Sequence, residues 1–589
     1  MSRLRSSLPC LLVWLMLVAN GAALEVRQRL WGFDGRAVPG RMTPVSVLVA
    51  NPGKSPFDGD LVLRQLGGLG GQSGAPFVQP VYIAPQSERW VQFHVFTDGT
   101  LPGFDLSWGR GAKEHADIDS PVAGPPARVL LSDPDNPFAI GGTLKAFPDS
   151  LFPTTVAATD GLDAVALDYA PRWEPARREA FVDWLKRGGL VLVLPGKSGE
   201  FPVFTEQLEV LNTSADSARV GAGTVLRANV TRREAGEKLF AERGFPAPEL
   251  KQNKEVVVYN FEQTLFERLA RLTRPNIRWW LINTLTVVYL LVVGPVHYRW
   301  GRKIDYRMSI LAFLGTVALF GWLFSVIGRR GYGESQTVHS LAIAHSLGGA
   351  RHDVTQWVSA FATRGDLYTL THEAPANLYA AVSMEAINGR ILNGKDGRFL
   401  ADIPLYSSRQ FVHRAAMTGD DTSVTVEEWE ADDVALRRLV LKVGPQFPKD
   451  VIELRMRYRD LFYELVRDGD RLIPSTKTSA LGFGTFISKE KVREAMSDFA
   501  GNAALNRSGQ VVTTLGEIEP QIRSTLPLLY VRAMDGREYF QQEIAHPPRP
   551  GDRLRLYIFA KAPESFRMQG KGFGRENGCV LYVQDVFKP

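Results

Sequence analysis

Cysteine is nearly absent from this chain of 589 residues, which contains only Cys10 and Cys579. Cys10 falls in an N-terminal apolar stretch that we expect to be removed, so one thiol remains. A single thiol forms no internal disulfide, zinc cluster or redox pair. The apolar run from Gly578 to Val583 is typical of a terminal strand, and it predicts that Cys579 is buried.

A strong net charge is lacking too. The chain has 69 basic and 63 acidic residues, a formal net charge of +6. So mild and dispersed a charge gives no reason to expect a nucleic-acid partner. A composition of 45% hydrophobic and 22% charged residues excludes a disordered, collagen-like or coiled-coil protein. The mean hydropathy of −0.10 excludes a polytopic transporter, and the length predicts about three or four compact units.

Residues 1–23 have the pattern of an export signal. Arg3 and Arg5 precede an apolar core from Leu8 to Val18, and small residues follow at 21–23. An uncleaved anchor helix is the alternative. In either case the residues that follow leave the cytoplasm.

Two apolar runs, at 277–297 and 308–328, predict transmembrane helices. The stretch from Met308 to Ile327 has no charged residue, and as a helix it is about 30 Å long, enough to cross the hydrocarbon. Two buried core helices of a soluble protein are the alternative. The connector at 298–307 is basic and short, which predicts a cytoplasmic loop. Arginines at the outer ends of the two runs dilute this bias without reversing it.

Residues 24–124 read as a β-sandwich of immunoglobulin-like type. Val45, Val47 and Val49 alternate with their neighbours, and a second alternating run spans 90–96. The glycine-rich stretch 67–74 lacks the Lys-Ser/Thr pair of a phosphate-binding loop and predicts a hairpin tip.

Residues 125–250 change to an α/β pattern. Continuous apolar strands at 128–133, 164–168 and 190–194, with a helix between Pro175 and Gly188, predict a parallel sheet covered on both faces. Ligands of such sheets bind at the carboxyl ends of the strands. The candidate ligand-binding residues there are Asp133, Asp168, Lys197 and Ser198. Gly196-Lys197-Ser198 has Val191 where a nucleotide-binding loop has its first glycine, so no nucleotide is expected.

The segments 161–168, 181–189 and 190–193 resemble bacterial exported membrane proteins with an immunoglobulin-like domain, a class I glutamine amidotransferase-like domain and a transmembrane hairpin. The resemblance implies a Rossmann-like α/β domain and assembly with other envelope proteins. The signal and the basic connector place both large parts outside the cytoplasm, so the chain is expected in the bacterial inner membrane with both parts periplasmic. The nucleophile of that family is a cysteine. No cysteine lies between Leu11 and Gly578, which excludes glutamine hydrolysis.

The remaining segments are a juxtamembrane stretch at 251–276 and an extracytoplasmic β-rich region at 329–589. Phe261, Leu265, Leu269 and Leu272 share one helical face, which predicts either a helix lying along the lipid headgroups or a helix capping a domain. The histidines at 339, 345 and 352 are interpreted as scattered surface residues rather than a metal site. The acidic run 427–433 is interpreted as a solvated strand edge or loop.

The sequence therefore favours a non-enzymatic scaffold or binding component, anchored in the bilayer and facing the periplasm, with no cofactor or metal. Two alternatives stay open. One is an envelope hydrolase acting on glycans or peptides near Asp133 and Asp168. The other is a carbohydrate- or peptide-binding module on the β domains.

Overall fold

The computed structural model describes residues 24–588 apart from a series of gaps: 68–70, 98–100, 110–113, 133–142, 253–260, 274–278, 329–335, 384, 433–434, 498–521, 535–541 and 546–552. The chain is strand-rich, forms several sheets and carries two long apolar helices. The predicted signal at 1–23 and the candidate residue Asp133 lie outside the described residues.

The strands that precede the apolar helices are β1 Glu25–Trp31, β2 Arg36–Ala37, β3 Arg41–Asn51, β4 Phe57–Leu66, β5 Gln72–Ile83, β6 Ser87–Thr97, β7 Phe104–Trp108, β8 Glu114–Ile118, β9 Val122–Ala123, β10 Ala127–Ser132, β11 Lys145–Pro148, β12 Leu162–Leu167, β13 Leu190–Val193, β14 Ser217–Val220, β15 Gly223–Arg227 and β16 Glu249–Gln252.

The strands that follow are β17 Thr337–Gly348, β18 Arg351–Ala362, β19 Asp366–Thr371, β20 Leu378–Ala380, β21 Gly389–Leu392, β22 Arg398–Ile403, β23 Ser407–Thr418, β24 Val424–Ala431, β25 Leu436–Val443, β26 Val451–Tyr458, β27 Leu461–Asp468, β28 Arg471–Pro474, β29 Leu481–Gly482, β30 Gln542–Ala545, β31 Arg553–Lys561, β32 Gln569–Gly570 and β33 Arg575–Phe587.

The α-helices are α1 Pro175–Arg187, α2 Glu237–Glu242, α3 Phe261–Arg271, α4 Trp279–Leu291, α5 His297–Gly301, α6 Tyr306–Gly328, α7 Phe483–Phe486, α8 Lys489–Ser497 and α9 Leu526–Ala533. A π-helical turn, Val292–Val296, joins α4 to α5. Short 3₁₀ turns lie at Asp149–Leu151, Val156–Ala158, Glu206–Leu211 and Glu564–Phe566.

Strands β1 to β9 belong to three sheets: one is the two-stranded pair β2–β9, and another also contains strands from beyond the apolar helices. Strands β1, β3 and β6 form a three-stranded sheet, and the predicted alternation at Val45, Val47 and Val49 lies in β3. An eight-stranded sheet has the order β32-β19-β22-β21-β5-β4-β7-β8, and Ile391 pairs with Phe77 where the two parts of the chain meet. Residues 24–124 thus share a sheet and a hydrophobic core with residues of the C-terminal region. The predicted domain boundaries stay predictions.

A six-stranded sheet of order β11-β10-β12-β13-β15-β14 occupies residues 127–227. Its pairings are parallel except for the antiparallel pair β14–β15. Continuous apolar strands suit this sheet because both faces are buried, with Val129 in one core and Leu130 in another. Helix α1 begins at Pro175 and ends before Gly188, whose positive φ of 130° stops it.

The largest sheet runs β20-β23-β18-β17-β33-β31-β26-β27-β28-β25-β24, with β29 beside β27. Cys579 lies in β33 and is fully buried, as predicted. The acidic run falls mainly on β24 at one end of this order, where Glu427 and Glu428 pair with Arg471 and Arg438 at 2.8 and 2.5 Å. A solvated strand edge is therefore the correct interpretation of the run.

Helix α3 packs against this sheet rather than lying free at the membrane surface. The four residues of its predicted apolar face are all buried, and the ring of Phe261 lies 5.5 Å from that of Trp357 on β18. Strand β16 pairs with β30 from the far end of the chain. Of the two alternatives for this helix, the domain-capping one is correct.

Candidate functional site

The most distinctive surface is the apolar hairpin, residues 279–328, formed by α4, the π turn, α5 and α6. Its two candidate membrane-spanning stretches, Trp280–Gly301 and Tyr306–Ile327, are 0% and 6% buried. Leu290, Leu311 and Trp322 are each more than 60% exposed. Water-exposed apolar surface on this scale is unfavourable, and helices of a soluble core are buried. The alternative of two buried core helices is therefore wrong.

The dimensions of the apolar hairpin match a bilayer. Helix α6 has 23 residues, so at 1.5 Å per residue it is about 34 Å long. The hydrocarbon layer is about 30 Å thick. Aromatic side chains with polar tips cluster at the connector end, where Tyr298, Trp300 and Tyr306 are exposed and Arg302 lies 4.4 Å from the centre of the Tyr298 ring. An apolar middle with amphipathic aromatics at one end is the pattern of a membrane interface.

A π turn containing Pro295 interrupts the first helix of the hairpin. Proline has no backbone N–H to donate. In this turn the backbone hydrogen bonds join residues five apart, as in a π-helix, instead of four apart. Beside this turn, a cavity of about 330 Å³ lies between the helices and is lined by residues that include His297, Gly315 and Thr316. His297 Nε2 lies 3.3 Å from Ser309 Oγ, which links the two helices near the connector.

The predicted sheet-edge site is organised by an arginine. Arg232 donates to both carboxylate oxygens of Asp168, at 2.9 Å through Nε, and to the Leu131 carbonyl at 3.2 Å. Lys197 and Ser198 are exposed on a turn, and Ser198 Oγ accepts from the Glu200 N–H at 3.4 Å. Asp168 is thus neutralised by a neighbour from its own chain. A ligand-binding role for these residues stays a prediction.

A buried cluster of four charges was not predicted from the sequence. Arg414 and Arg187 both contact the carboxylates of Asp160 and Asp353, and all four side chains are at most 17% exposed. Burial opposes ionisation of the two acids, but the two guanidinium groups hold the pKa of each carboxyl below its usual range. The cluster joins residues near the six-stranded sheet to β18 and β23.

The histidines also differ from prediction. His339 and His352 are only 2% and 0% exposed, so their interpretation as surface residues is wrong. They lie on the neighbouring strands β17 and β18, and the pairing that buries them is not visible in the sequence of either strand alone. A further buried residue, His413, places its ring nitrogens 2.9 Å from Gln356 Oε1 and Asn377 Oδ1. Burial holds the pKa of His413 well below its usual value.

No metal-binding arrangement stands out in the part of the chain that the structure describes. No group of three or more His, Cys, Asp or Glu side chains there has the geometry to hold an ion. His352 and His413 instead have uncharged hydrogen-bond partners and pack against rings, as His413 does against Tyr379 at 4.7 Å. Their arrangement is that of a packed polar core.

Comparisons with known proteins identify no family. No protein-family model matches the chain, and no curated protein matches its sequence. The alkylpurine DNA glycosylase AlkC of Pseudomonas fluorescens, bound to DNA containing an abasic site analog, is 9% identical over 18% of this chain and 32% of its own, with a TM-score of 0.14. The chain thus spans about a third of that protein.

Two further solved structures are similar at the same low level. A Paenibacillus cycloisomaltooligosaccharide glucanotransferase is 10% identical over 78% of this chain and 98% of its own, with a TM-score of 0.16. A β-glucuronidase of glycoside hydrolase family 2 is 8% identical over 96% and 62%, with a TM-score of 0.15. Such scores establish neither a shared fold nor a shared activity.

Proposed function

We propose that this protein is a membrane-anchored scaffold or binding component of a bacterial envelope complex, held in the inner membrane by the apolar hairpin. The observation that carries the proposal is the exposure of both helices: their windows have mean hydropathies of 1.6 and 2.3 and almost no buried residues. Transfer of that surface into hydrocarbon removes it from water.

The fold supports a two-span arrangement. Helix α3 before the hairpin packs on β18 after it, and Leu250 of β16 pairs with Ile544 of β30. Because both flanks of the hairpin belong to one folded body, they lie on one side of the membrane. Two spans return the chain to the side from which it entered.

The side of the membrane on which the folded body lies is assigned from the charge of the connector and from the predicted signal at 1–23. The connector carries Arg299, Arg302, Lys303 and Arg307 against Asp305, and short basic loops stay in the cytoplasm. The signal at 1–23 directs the folded body outward. The body is then periplasmic, and its partners are the bilayer and other envelope proteins.

A scaffold role is favoured over an envelope hydrolase by the state of Asp168, the carboxylate of the predicted site that the structure describes. Carboxylates that act in hydrolysis must reach the substrate, whereas Asp168 is engaged by Arg232 on both oxygens. The parallel pairings of the six-stranded sheet support relating residues 125–250 to the amidotransferase-like fold, used here without its nucleophile.

Reporter fusions test the assigned side. Alkaline phosphatase, which is active only outside the cytoplasm, is fused after Gly301 in one strain and after Pro589 in another. We expect activity at Pro589 and none at Gly301. Activity at Gly301 with silence at Pro589 would reverse the topology and remove the periplasmic assignment. Equal expression of the two fusions, measured by immunoblot, is the control.

A further inference from the structure

The edge of β6 is the starting point of the inference. Strand β6 ends the order β1-β3-β6, so its second edge has no strand partner among the described residues. Pro44 on β3 lies opposite His94, and the Pro44 carbonyl accepts from Gly32 on the other side of β3. The pair Pro44–His94 therefore exchanges no backbone hydrogen bonds, and the backbone N–H and C=O of His94 point away from β3.

In an antiparallel pair of strands, the direction of the backbone N–H and C=O groups alternates from one residue to the next. Every second residue has the same orientation, so the backbone groups of Gln92 and Trp90 also point to the free edge. The Asn393 side chain confirms the direction, because its Nδ2 donates to the His94 carbonyl at 2.9 Å. The Asn393 side-chain amide thus pairs with the outward-facing backbone of His94. The outward-facing backbone groups of the next two such residues, Gln92 and Trp90, have no partner in the described structure.

A cleft lies along this free edge of β6. It has a volume of about 250 Å³ and is lined by Gln79, Pro80 and Val81 of β5, by β6 residues including Arg89, Trp90 and His94, and by Asn393. Strands β5 and β6 follow one another in the chain but belong to different sheets. Pro80 is suited to such a position, because proline occurs on strand edges and at the ends of ladders.

Charge restricts the ligand. The lining contains the exposed Arg89 and no carboxylate, and its other polar groups are uncharged: three amides, the Trp90 indole and a neutral imidazole. Burial lowers the pKa of His94 to about 4, so this ring is uncharged at neutral pH, and its Nε2 has no hydrogen-bond partner in the described structure. A neutral or acidic ligand fits this lining better than a basic one.

We propose that the cleft binds an extended peptide segment of a partner protein, which pairs with the free edge of β6 at Trp90 and Gln92 and places an acidic side chain near Arg89. Addition of a strand to a sheet edge obtains its affinity from main-chain hydrogen bonds. The peptide would belong to a partner of the scaffold proposed above. Only the location of that partner in the cell envelope rests on the proposed function.

The test uses the full-length chain in mild detergent and a phage-displayed library of linear dodecapeptides. The peptide that binds best is synthesised with single N-methyl groups at each position, and affinities are measured by fluorescence anisotropy. We expect at least tenfold weaker binding at alternate positions over about four residues, and nearly unchanged binding at the positions between them, because only every second N–H joins the ladder. Uniform sensitivity, or no enriched peptide, would overturn the proposal.

Variants locate the site. Gln79→Trp fills the cleft, whereas Tyr82→Trp on the same strand adds a similar ring at a position that is 52% exposed. We expect Gln79→Trp to weaken binding at least tenfold and Tyr82→Trp to leave it unchanged, with equal thermal unfolding of the two variants. Arg89→Gln should reduce both the affinity and its salt dependence. Binding that survives Gln79→Trp, or displacement of the peptide by a neutral oligosaccharide alone, would contradict a peptide site. These measurements do not depend on membrane topology, so their failure is distinct from that of the proposed function.

Discussion

Arg414 on β23 and Asp353 on β18 form an ion pair in which one nitrogen, Arg414 Nη2, lies 2.7 Å from both carboxylate oxygens. Arg187 at the end of α1 also donates to Asp353, and Asp160 completes the cluster. The contacts Arg187–Asp353 and Arg414–Asp160 therefore connect the region of the six-stranded sheet to the largest sheet. Burial of both partners makes the cluster sensitive to loss of either charge.

Replacing one acid tests that sensitivity. Asp353→Asn leaves two buried guanidinium groups facing one carboxylate, and we expect it to lower the free energy of unfolding by about 3–5 kcal/mol. Chemical denaturation in detergent measures the change. Asp58→Asn, on an exposed position of β4, is the matched control and should change stability little. Equal stability of the two variants would show that the cluster contributes nothing.

The same cluster predicts an acid-sensitive fold. The pKa values of Asp160 and Asp353 are lowered in the folded protein, chiefly because Arg414 and Arg187 outweigh the burial that opposes ionisation. Their contribution to stability is thus present above the unfolded pKa of about 3.9 and is lost as the pH falls below it. Melting temperatures from pH 6 to pH 3 should fall more steeply for the wild type than for Asp353→Asn. Parallel curves would contradict the assignment.

Glu576 predicts the opposite pH dependence. Its Oε2 accepts from the Met568 N–H at 2.6 Å and its Oε1 from Ser340 Oγ at 3.1 Å, while burial raises its pKa to about 8. Because the folded pKa is above the unfolded one, the contribution of Glu576 to stability is greatest below about pH 4.3 and is lost as the pH rises through 8. In Glu576→Gln the amide oxygen can accept from the Met568 N–H and the amide nitrogen can donate to Ser340 Oγ, without a charge, so its melting temperature should exceed that of the wild type at pH 8.

The pH profile supplies the control for Glu576. The difference between Glu576→Gln and the wild type should shrink as the pH falls to 4 and below, where the wild-type carboxyl becomes protonated in the unfolded state as well. Glu564→Gln, at an exposed position, should show no difference at any pH. A Glu576→Gln variant that is less stable at pH 8 would contradict the raised pKa.

Gly223 at the start of β15 predicts a steric effect. A Cβ at this position would lie 1.9 Å from the Leu185 carbonyl oxygen and 2.6 Å from that of Gly189, both backbone atoms. Gly223→Ala therefore requires α1 to move away from the sheet, and we expect a loss of about 1–3 kcal/mol in thermal or chemical unfolding. Gly444→Ala, which meets nothing within 4 Å, is the control and should be nearly neutral.

Much of the local structure follows from the sequence pattern. Alternation at 45–49, continuous apolar runs such as 190–194 and Pro175 with Gly188 predicted elements that the structure contains. The apolar hairpin was predicted for the same reason: length and freedom from charge are local properties. These signals need no knowledge of the partner strand.

Long-range pairing could not be predicted in this way. Phe77 pairs with Ile391 and Leu250 with Ile544, contacts separated by about 300 residues that leave no periodic signal in either segment. The buried cluster around Arg414 was missed because charged residues read as surface until a partner is known. The buried His339 and His352 were missed because their polar neighbours concealed the core they belong to.

Extraction of native membranes at alkaline pH tests the central claim that the apolar hairpin is embedded in the bilayer. The wild type should stay in the pellet after carbonate treatment, because both helices are held in hydrocarbon. The double variant Leu314→Arg/Val317→Arg places two charges near the middle of α6. Each charge makes the free energy of membrane insertion less favourable by about 3 kcal/mol, so this variant should be released or degraded. Val203→Arg, at a position of the folded body that is 76% exposed, should remain in the pellet. Release of the intact wild type by carbonate would contradict the account.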